Sequence, residues 1–248
     1  MTETAAAVAA PPAEAQGLAG RVFGVLTAPK ATYAGIVAHP RALGVLVLGI
    51  LLIAGATVAF FSTEVGRQAV LDQQEQGLRA AEALGFKIPD QALQQMEERV
   101  ALPSMPYITA ASRVVLVLLF VVVIAGLIMV VFNAILGGDA SFKQVFALVA
   151  HSGMVTVTQT LFSLPLDYVR ESLSSPTALS IFVPFLEETS FGARLLGSID
   201  LFRIWWILNL AIGLGVLYKR RTQPIATGLL VTYVAIAFLI AAVRAAFS

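Results

Sequence analysis

The chain has 248 residues, of which 58% are hydrophobic and only 12% are charged, and its formal net charge at pH 7 is +1. Its mean hydropathy of +0.86 is well above that of soluble globular domains, which excludes most classes of soluble enzyme. The sequence contains no cysteine, so disulfides, thiolate metal sites and cysteine nucleophiles are excluded as well.

The first segment, residues 1–16, is rich in alanine and weakly acidic, and it contains two prolines. It lacks the basic stretch followed by an apolar run that marks an export signal. Because it has almost no large apolar side chains with which to form a core, we expect a disordered tail over 1–16.

The next segment, residues 17–41, is amphipathic, with apolar residues such as Leu18 and Val22 recurring at helical spacing. Two arrangements fit this pattern equally well. The segment could lie in the membrane interface with its basic residues near anionic headgroups, or it could pack against the membrane-spanning helices of the same chain. The basic candidates in this segment are Arg21, Lys30 and Arg41.

The remainder, residues 42–248, contains five long apolar windows. A bilayer core requires about 20 helical residues to cross. An unpaired backbone group in hydrocarbon costs several kcal/mol, so each crossing should be an α-helix. The sequence therefore predicts an all-α integral membrane protein built as a five-transmembrane-helix bundle. The windows are about 42–61, 114–136, 144–166, 201–218 and 225–243.

The fourth window is the weakest of the five, because Asp200 and Arg203 stand at its start and only 204–218 is free of charge. Arg203 could extend its head group to the interface. If this window failed to span, the basic turn at 219–221 would lie on the wrong side of the membrane. Five spans are therefore predicted, with four as the alternative.

Two longer segments connect the windows. Residues 62–112 resemble a soluble helical hairpin, with one helix ended by Gly85 and a second beginning near Pro89. Its polar surface could bind a partner or be merely solvated. Residues 172–186 form an uncharged run broken by prolines, which is too short to span and predicts a re-entrant or interfacial segment.

Charge placement predicts the orientation. The clearest basic cluster, Lys219, Arg220 and Arg221, lies in the short turn after the fourth window. If that turn is cytoplasmic, alternation places the N-terminus in the cytoplasm and the C-terminus outside. The 62–112 loop, with seven acidic and four basic residues, then falls outside. The high usage of alanine and arginine is typical of bacterial proteins, so we expect a multi-pass protein of a bacterial plasma (inner) membrane.

Polar residues inside the windows are the candidates for a functional site, because such groups are costly at membrane depth. Several of them form a stripe along the third window. Two interpretations are open: a hydrated path or binding site, or hydrogen bonds between helices, which is the favoured interpretation. The candidates are Asn133, His151, Ser152, Thr156, Gln159 and Asn209.

Catalytic motifs are missing from the sequence. There is no metalloprotease, serine hydrolase, phosphate-loop or dinucleotide signature. His151 and Ser152 are adjacent, so on a helix their side chains point about 100° apart and cannot easily act as a pair. We expect no enzymatic activity, no cofactor, no metal site and no nucleic-acid partner.

Three stretches carry a resemblance to the Yip1-domain family of polytopic membrane proteins, in its bacterial branch. They are RVFGVLTAPKATYAGIVAHPR (21–41), GGDASFKQVFALVAHSG (137–153) and IDLFRIWWILNLAIGLGV (199–216). The resemblance implies a five-span helical domain and supplies no catalytic residues. Eukaryotic members bind small GTPases of the Rab type, but this chain lacks their Asp-Leu-Tyr-Gly-Pro motif, so that activity is not carried over.

Three functions fit these observations. The leading hypothesis is a non-enzymatic scaffold or accessory subunit that contacts the lipid bilayer and a membrane protein partner, or a second copy of itself. The second is a transporter or channel with a polar path along the third window. The third is a lipid-binding or membrane-shaping protein.

Overall fold

The computed structural model describes residues 16–83, 85–89, 91–187 and 190–246, so nearly all of the predicted tail at 1–16 lies outside the described residues. The described part is helical. Its helices are α1 (Leu18–Thr27), α2 (Pro29–Ala38), α3 (Leu43–Phe61), α4 (Glu64–Ala83), α5 (Gln91–Ala101), α6 (Met105–Ile128, continued by a π-helix, Met129–Ile135), α7 (Phe142–Ser152), α8 (Met154–Arg170), α9 (Phe191–Gly197), α10 (Leu201–Leu217) and α11 (Thr222–Ala246).

Four helical stretches of the described chain are long and apolar enough to cross a membrane: Leu43–Phe61, Met105–Ile135, Phe142–Arg170 and Thr222–Val243. This confirms an all-helical membrane protein. α10, at the fourth predicted window, is a shorter apolar helix of 17 residues, or about 26 Å at 1.5 Å per residue. Its crossing of the bilayer, and so the count of five, stays a prediction.

The long helices run alternately up and down. We call the end of the bundle that carries α4 and α5 the α4–α5 end, and the end that carries the turn 219–221 the basic end. α3 packs between α6 and α8, while α10 packs on α7 and α11. The α7–α8 stretch is 56% buried over its apolar window, against 17% for α6 and 11% for α11. The polar third window therefore lies at the centre, where its hydrogen-bonding groups avoid lipid.

Residues 17–41 form two helices that pack onto the bundle. Val25, Tyr33 and Ile36 have no exposed surface, because α2 packs along α10 and α7 while α1 packs against α2. The side-chain amide of Gln144, near the start of α7, donates to the carbonyl of Val37 at 3.3 Å. This is the second of the two arrangements considered for the segment, in which it becomes part of the bundle.

Candidate functional site

Asn209 joins α10 to the N-terminal helices. Its Oδ1 accepts a hydrogen bond from the Tyr33 hydroxyl at 2.5 Å, and its Nδ2 donates to the carbonyl of Val25 at 2.7 Å. Asn209 is 1% exposed. Burial raises the pKa of the Tyr33 phenol, so this side chain keeps its proton at neutral pH and can donate the hydrogen bond. Asn209 therefore holds α1 and α2 on the bundle.

Two further candidates also bond between elements. Asn133 donates from Nδ2 to the carbonyl of Ala140 at 2.7 Å and accepts from the Tyr218 hydroxyl at 2.8 Å. Ser152 accepts from the indole N–H of Trp206 at 3.1 Å, which links α7 to α10. These bonds are the interhelical contacts that the favoured interpretation of the polar stripe describes.

His151 is fully buried beside α1. Its Nδ1 lies 2.7 Å from the carbonyl of Ala147, so the hydrogen on this nitrogen makes a bond within α7. Its Nε2 has no hydrogen-bond partner among the described residues. Arg21 of α1 is close enough to interact with it electrostatically.

Arg21 differs from the other basic candidates. It was expected at the membrane surface, but its side chain is only 6% exposed, and its Nε donates to the carbonyl of Gln16 at 3.0 Å. The physical reason is that α1 packs against α2, α7 and α8 on the side that carries Arg21. The candidates with exposed side chains are Lys30, Arg41, Lys219, Arg220 and Arg221. Arg220 also donates to the carbonyl of Leu136 at 2.8 Å, which ties the two turns of the basic end together.

Asp200 is a functional candidate that sequence reasoning missed. It is 7% exposed and accepts from five donors of the described chain. These donors are Gln159 Nε2 (3.0 Å), Ser175 Oγ, Thr177 Oγ1 (2.7 Å), Phe202 N (2.8 Å) and Arg203 N (3.2 Å). The last two cap the start of α10. An acidic residue directly before an apolar helix is the usual signal of such a cap, and it was available in the sequence.

The segment after α8 folds back to reach Asp200. The N–H of Leu179 donates to the carbonyl of Ile199 at 2.8 Å, and the N–H of Leu201 donates to the carbonyl of Thr177 at 3.1 Å. Asp200 in turn bonds Gln159, which stands eleven residues before the end of α8. That spacing is about 16 Å at 1.5 Å per residue. Part of this segment therefore folds back along α8.

A polar cavity of about 370 Å³ lies at the α4–α5 end, between α3, α6, α8 and this returning segment. Two of the predicted stripe residues, Thr156 and Gln159, line it, and Thr156 is exposed because it faces this space. The charged groups at the cavity are Arg113, Asp167 and Arg203. The stripe therefore has two parts: one toward the basic end that is buried in the bundle, and one that lines this cavity, where Gln159 also bonds Asp200.

Arg113 enters the cavity from α6. One of its guanidinium nitrogens lies 3.5 Å from the Thr57 hydroxyl, and the guanidinium carbon is 5.3 Å from the centre of the Phe61 ring. This is the geometry of a cation–π contact. The sequence shows Arg113 only as a charge at the edge of the second window. Its convergence with Arg203, 90 residues later, required the tertiary structure.

A smaller apolar slot of about 80 Å³ adjoins the polar cavity, and Thr156 lines both. The slot lies between α3, α6 and the α7–α8 junction, and its walls include Ile53, Phe120 and Val121. Neither cavity includes a residue of α7 before Val149. Farther toward the basic end, Leu148 and Leu214 pack with no exposed surface. Along α7, therefore, both cavities stop at Val149.

Comparison with known proteins gives one match. The model of the Yip1 domain matches residues 23–244, which is nearly the whole chain. No curated protein and no solved structure matches this chain. The matched range contains every spanning helix, the polar residues of α7–α8 and both cavities. The chain therefore belongs to the Yip1 domain family of membrane proteins.

Proposed function

We propose that the protein is a non-enzymatic scaffold or accessory subunit that docks a membrane protein partner through α4 and α5. The observation that supports this most directly is that polar groups of the predicted membrane windows form hydrogen bonds between elements of the bundle. Asn133, Ser152 and Asn209 each bond another element of the bundle. Such a bundle is suited to holding a fixed shape.

The docking surface would be the polar face of α4 and α5. The inner side of this pair is attached to the bundle through Val70 and Val100, which pack with Phe60 and Phe61 of α3 and Met105 of α6. The exposed carboxylates of α5 are Glu98 and Glu97, the second of which lines the cleft between α4, α5 and α6. A partner with a basic surface would complement them, and rim charges of this kind contribute mainly to specificity and association rate.

Charge reversal on α5 tests the docking proposal. We expect the tagged parent to co-purify with a protein in fixed stoichiometry without crosslinking, and Glu97→Lys with Glu98→Lys to abolish the association, because like charges would then face each other. The matched control is Glu171→Lys with Glu187→Lys, which changes two exposed carboxylates outside α4 and α5 by the same charge. Recovery of the parent alone and monomeric, or equal retention by both variants, would contradict docking at α5.

The orientation belongs to the same proposal: N-terminus cytoplasmic, C-terminus outside, in the bacterial inner membrane. Because the chain has no cysteine, single cysteines report sidedness without background. We expect a membrane-impermeant maleimide to label Gln74→Cys, on α4, in intact cells. It should label Lys219→Cys, at the basic end, only after the membrane is disrupted. The reverse pattern would establish the opposite orientation.

Transport along the third window remains an alternative prediction. The polar cavity favours it, since Thr156 and Gln159 are accessible there. The close packing of Leu148 and Leu214 toward the basic end speaks against a continuous path. A flux assay in proteoliposomes, comparing the parent with Gln159→Leu, separates these alternatives.

A further inference from the structure

The guanidinium groups of Arg113 and Arg203 line the same half-open polar cavity. Arg113 is half-buried and Arg203 is exposed, and neither lies within 4.0 Å of a carboxylate oxygen among the described residues. Guanidinium groups are well shaped to donate several hydrogen bonds to a phosphate. Their shared cavity therefore favours an anionic group that can reach both.

The apolar slot extends this site into the hydrophobic part of the bundle. Thr156 lines both spaces, so the slot and the polar cavity lie against the same side chain. Phe120, on the slot wall, is 45% exposed on the outer surface of α6, where the apolar side chains would meet lipid. The slot volume of about 80 Å³ accepts a short length of one hydrocarbon chain.

We propose that the two spaces form a binding site for one phospholipid molecule. Its phosphate contacts Arg113 and Arg203, and one acyl chain enters the slot past Thr156. Asp167 adds a negative charge to the polar cavity. A headgroup carrying an ammonium group can approach this carboxylate, so phosphatidylethanolamine is the probe of choice. The phosphate contacts do not involve Glu97 or Glu98, on which the docking test rests, although Gln73 of α4 also lines the polar cavity.

The first test measures the phosphate contacts by native mass spectrometry of the delipidated protein with dioleoyl phosphatidylethanolamine. We expect one lipid bound per chain, and binding at least about tenfold weaker in Arg113→Gln/Arg203→Gln, because both charged donors are lost. The matched control, Lys219→Gln/Arg221→Gln, loses the same charge at the basic end and should bind like the parent. Equal affinity of both double variants would overturn the proposal.

A single variant controls for the possibility that the double variant Arg113→Gln/Arg203→Gln misfolds. The side chain of Arg203 is exposed, so Arg203→Gln alone should leave the melting temperature unchanged and still weaken binding about threefold or more. Parent-like binding by this variant would remove Arg203 from the site and overturn the two-arginine arrangement.

The second test separates a lipid from a free phosphate ester. We expect Thr156→Phe, which fills the junction of the two spaces, to lose binding, and Thr156→Val, which keeps the volume, to retain it. Glycerophosphoethanolamine, which has no chains, and dioleoylglycerol, which has no phosphate, should each fail to displace the lipid. Displacement by glycerophosphoethanolamine as effective as by the lipid, or unchanged binding by Thr156→Phe, would show that the slot holds no chain.

Discussion

Asp200→Ala is expected to destabilise the protein by about 3 kcal/mol. The substitution removes the cap of α10, which is worth about 1 kcal/mol. It also leaves the Gln159 amide and the hydroxyls of Ser175 and Thr177 without their acceptor, at roughly 1–3 kcal/mol for a buried unpaired group. The measurement is the free energy of unfolding in detergent micelles or bicelles.

Asp200→Asn is the graded control for this prediction. The amide oxygen can still accept from the N–H groups of Phe202 and Arg203, so the cap survives. Only the second carboxylate oxygen is replaced, and the two hydroxyls can rotate toward each other, since their oxygens lie 3.2 Å apart. We expect a loss of about 1 kcal/mol. If Asp200→Ala is no more destabilising than Asp200→Asn, Asp200 does not organise this part of the bundle.

Asn209→Leu is expected to destabilise the protein by about 2 kcal/mol, because the Tyr33 hydroxyl and the Val25 carbonyl are left unpaired in a buried site. We expect the structure to be lost first where α1 packs on the bundle. Arg21 is 6% exposed, so trypsin can cut after it only when α1 detaches. The expected result is faster tryptic cleavage at Arg21 in the variant, measured by limited proteolysis and mass spectrometry.

Two further variants serve as a control and as a partner for the Asn209→Leu measurement. Thr158→Val removes a hydroxyl whose one hydrogen bond to the described residues is within its own helix, to the carbonyl of Met154, and should change little. Tyr33→Phe removes one partner of Asn209. A double-mutant cycle between Tyr33 and Asn209 should therefore give a coupling energy of about 0.6–1.7 kcal/mol. Cleavage at Arg21 that is unchanged in Asn209→Leu would contradict a role for Asn209 in holding α1.

The sequence predicts the positions of the membrane helices better than it predicts the hydrogen-bond partners of the polar groups. The windows at 42–61, 114–136, 144–166 and 225–243 each coincide with a spanning helix, because hydropathy and helical length are local properties. The polar candidates could be named from composition, but their partners could not. Tyr33 and Asn209 are 176 residues apart, and no local pattern connects them.

Hydropathy, charge and helical length were enough to predict a helical membrane protein, because the bilayer imposes its requirements on each segment separately. The resemblance to the family rested on the three stretches 21–41, 137–153 and 199–216. Only the tertiary structure shows that 17–41 packs into the bundle and that Asp200 accepts hydrogen bonds from the segment after α8. It also shows that Arg113 and Arg203 line one cavity. The physical reason is that such contacts join residues far apart in the chain. Their geometry depends on how the helices pack, and packing is a property of the whole bundle.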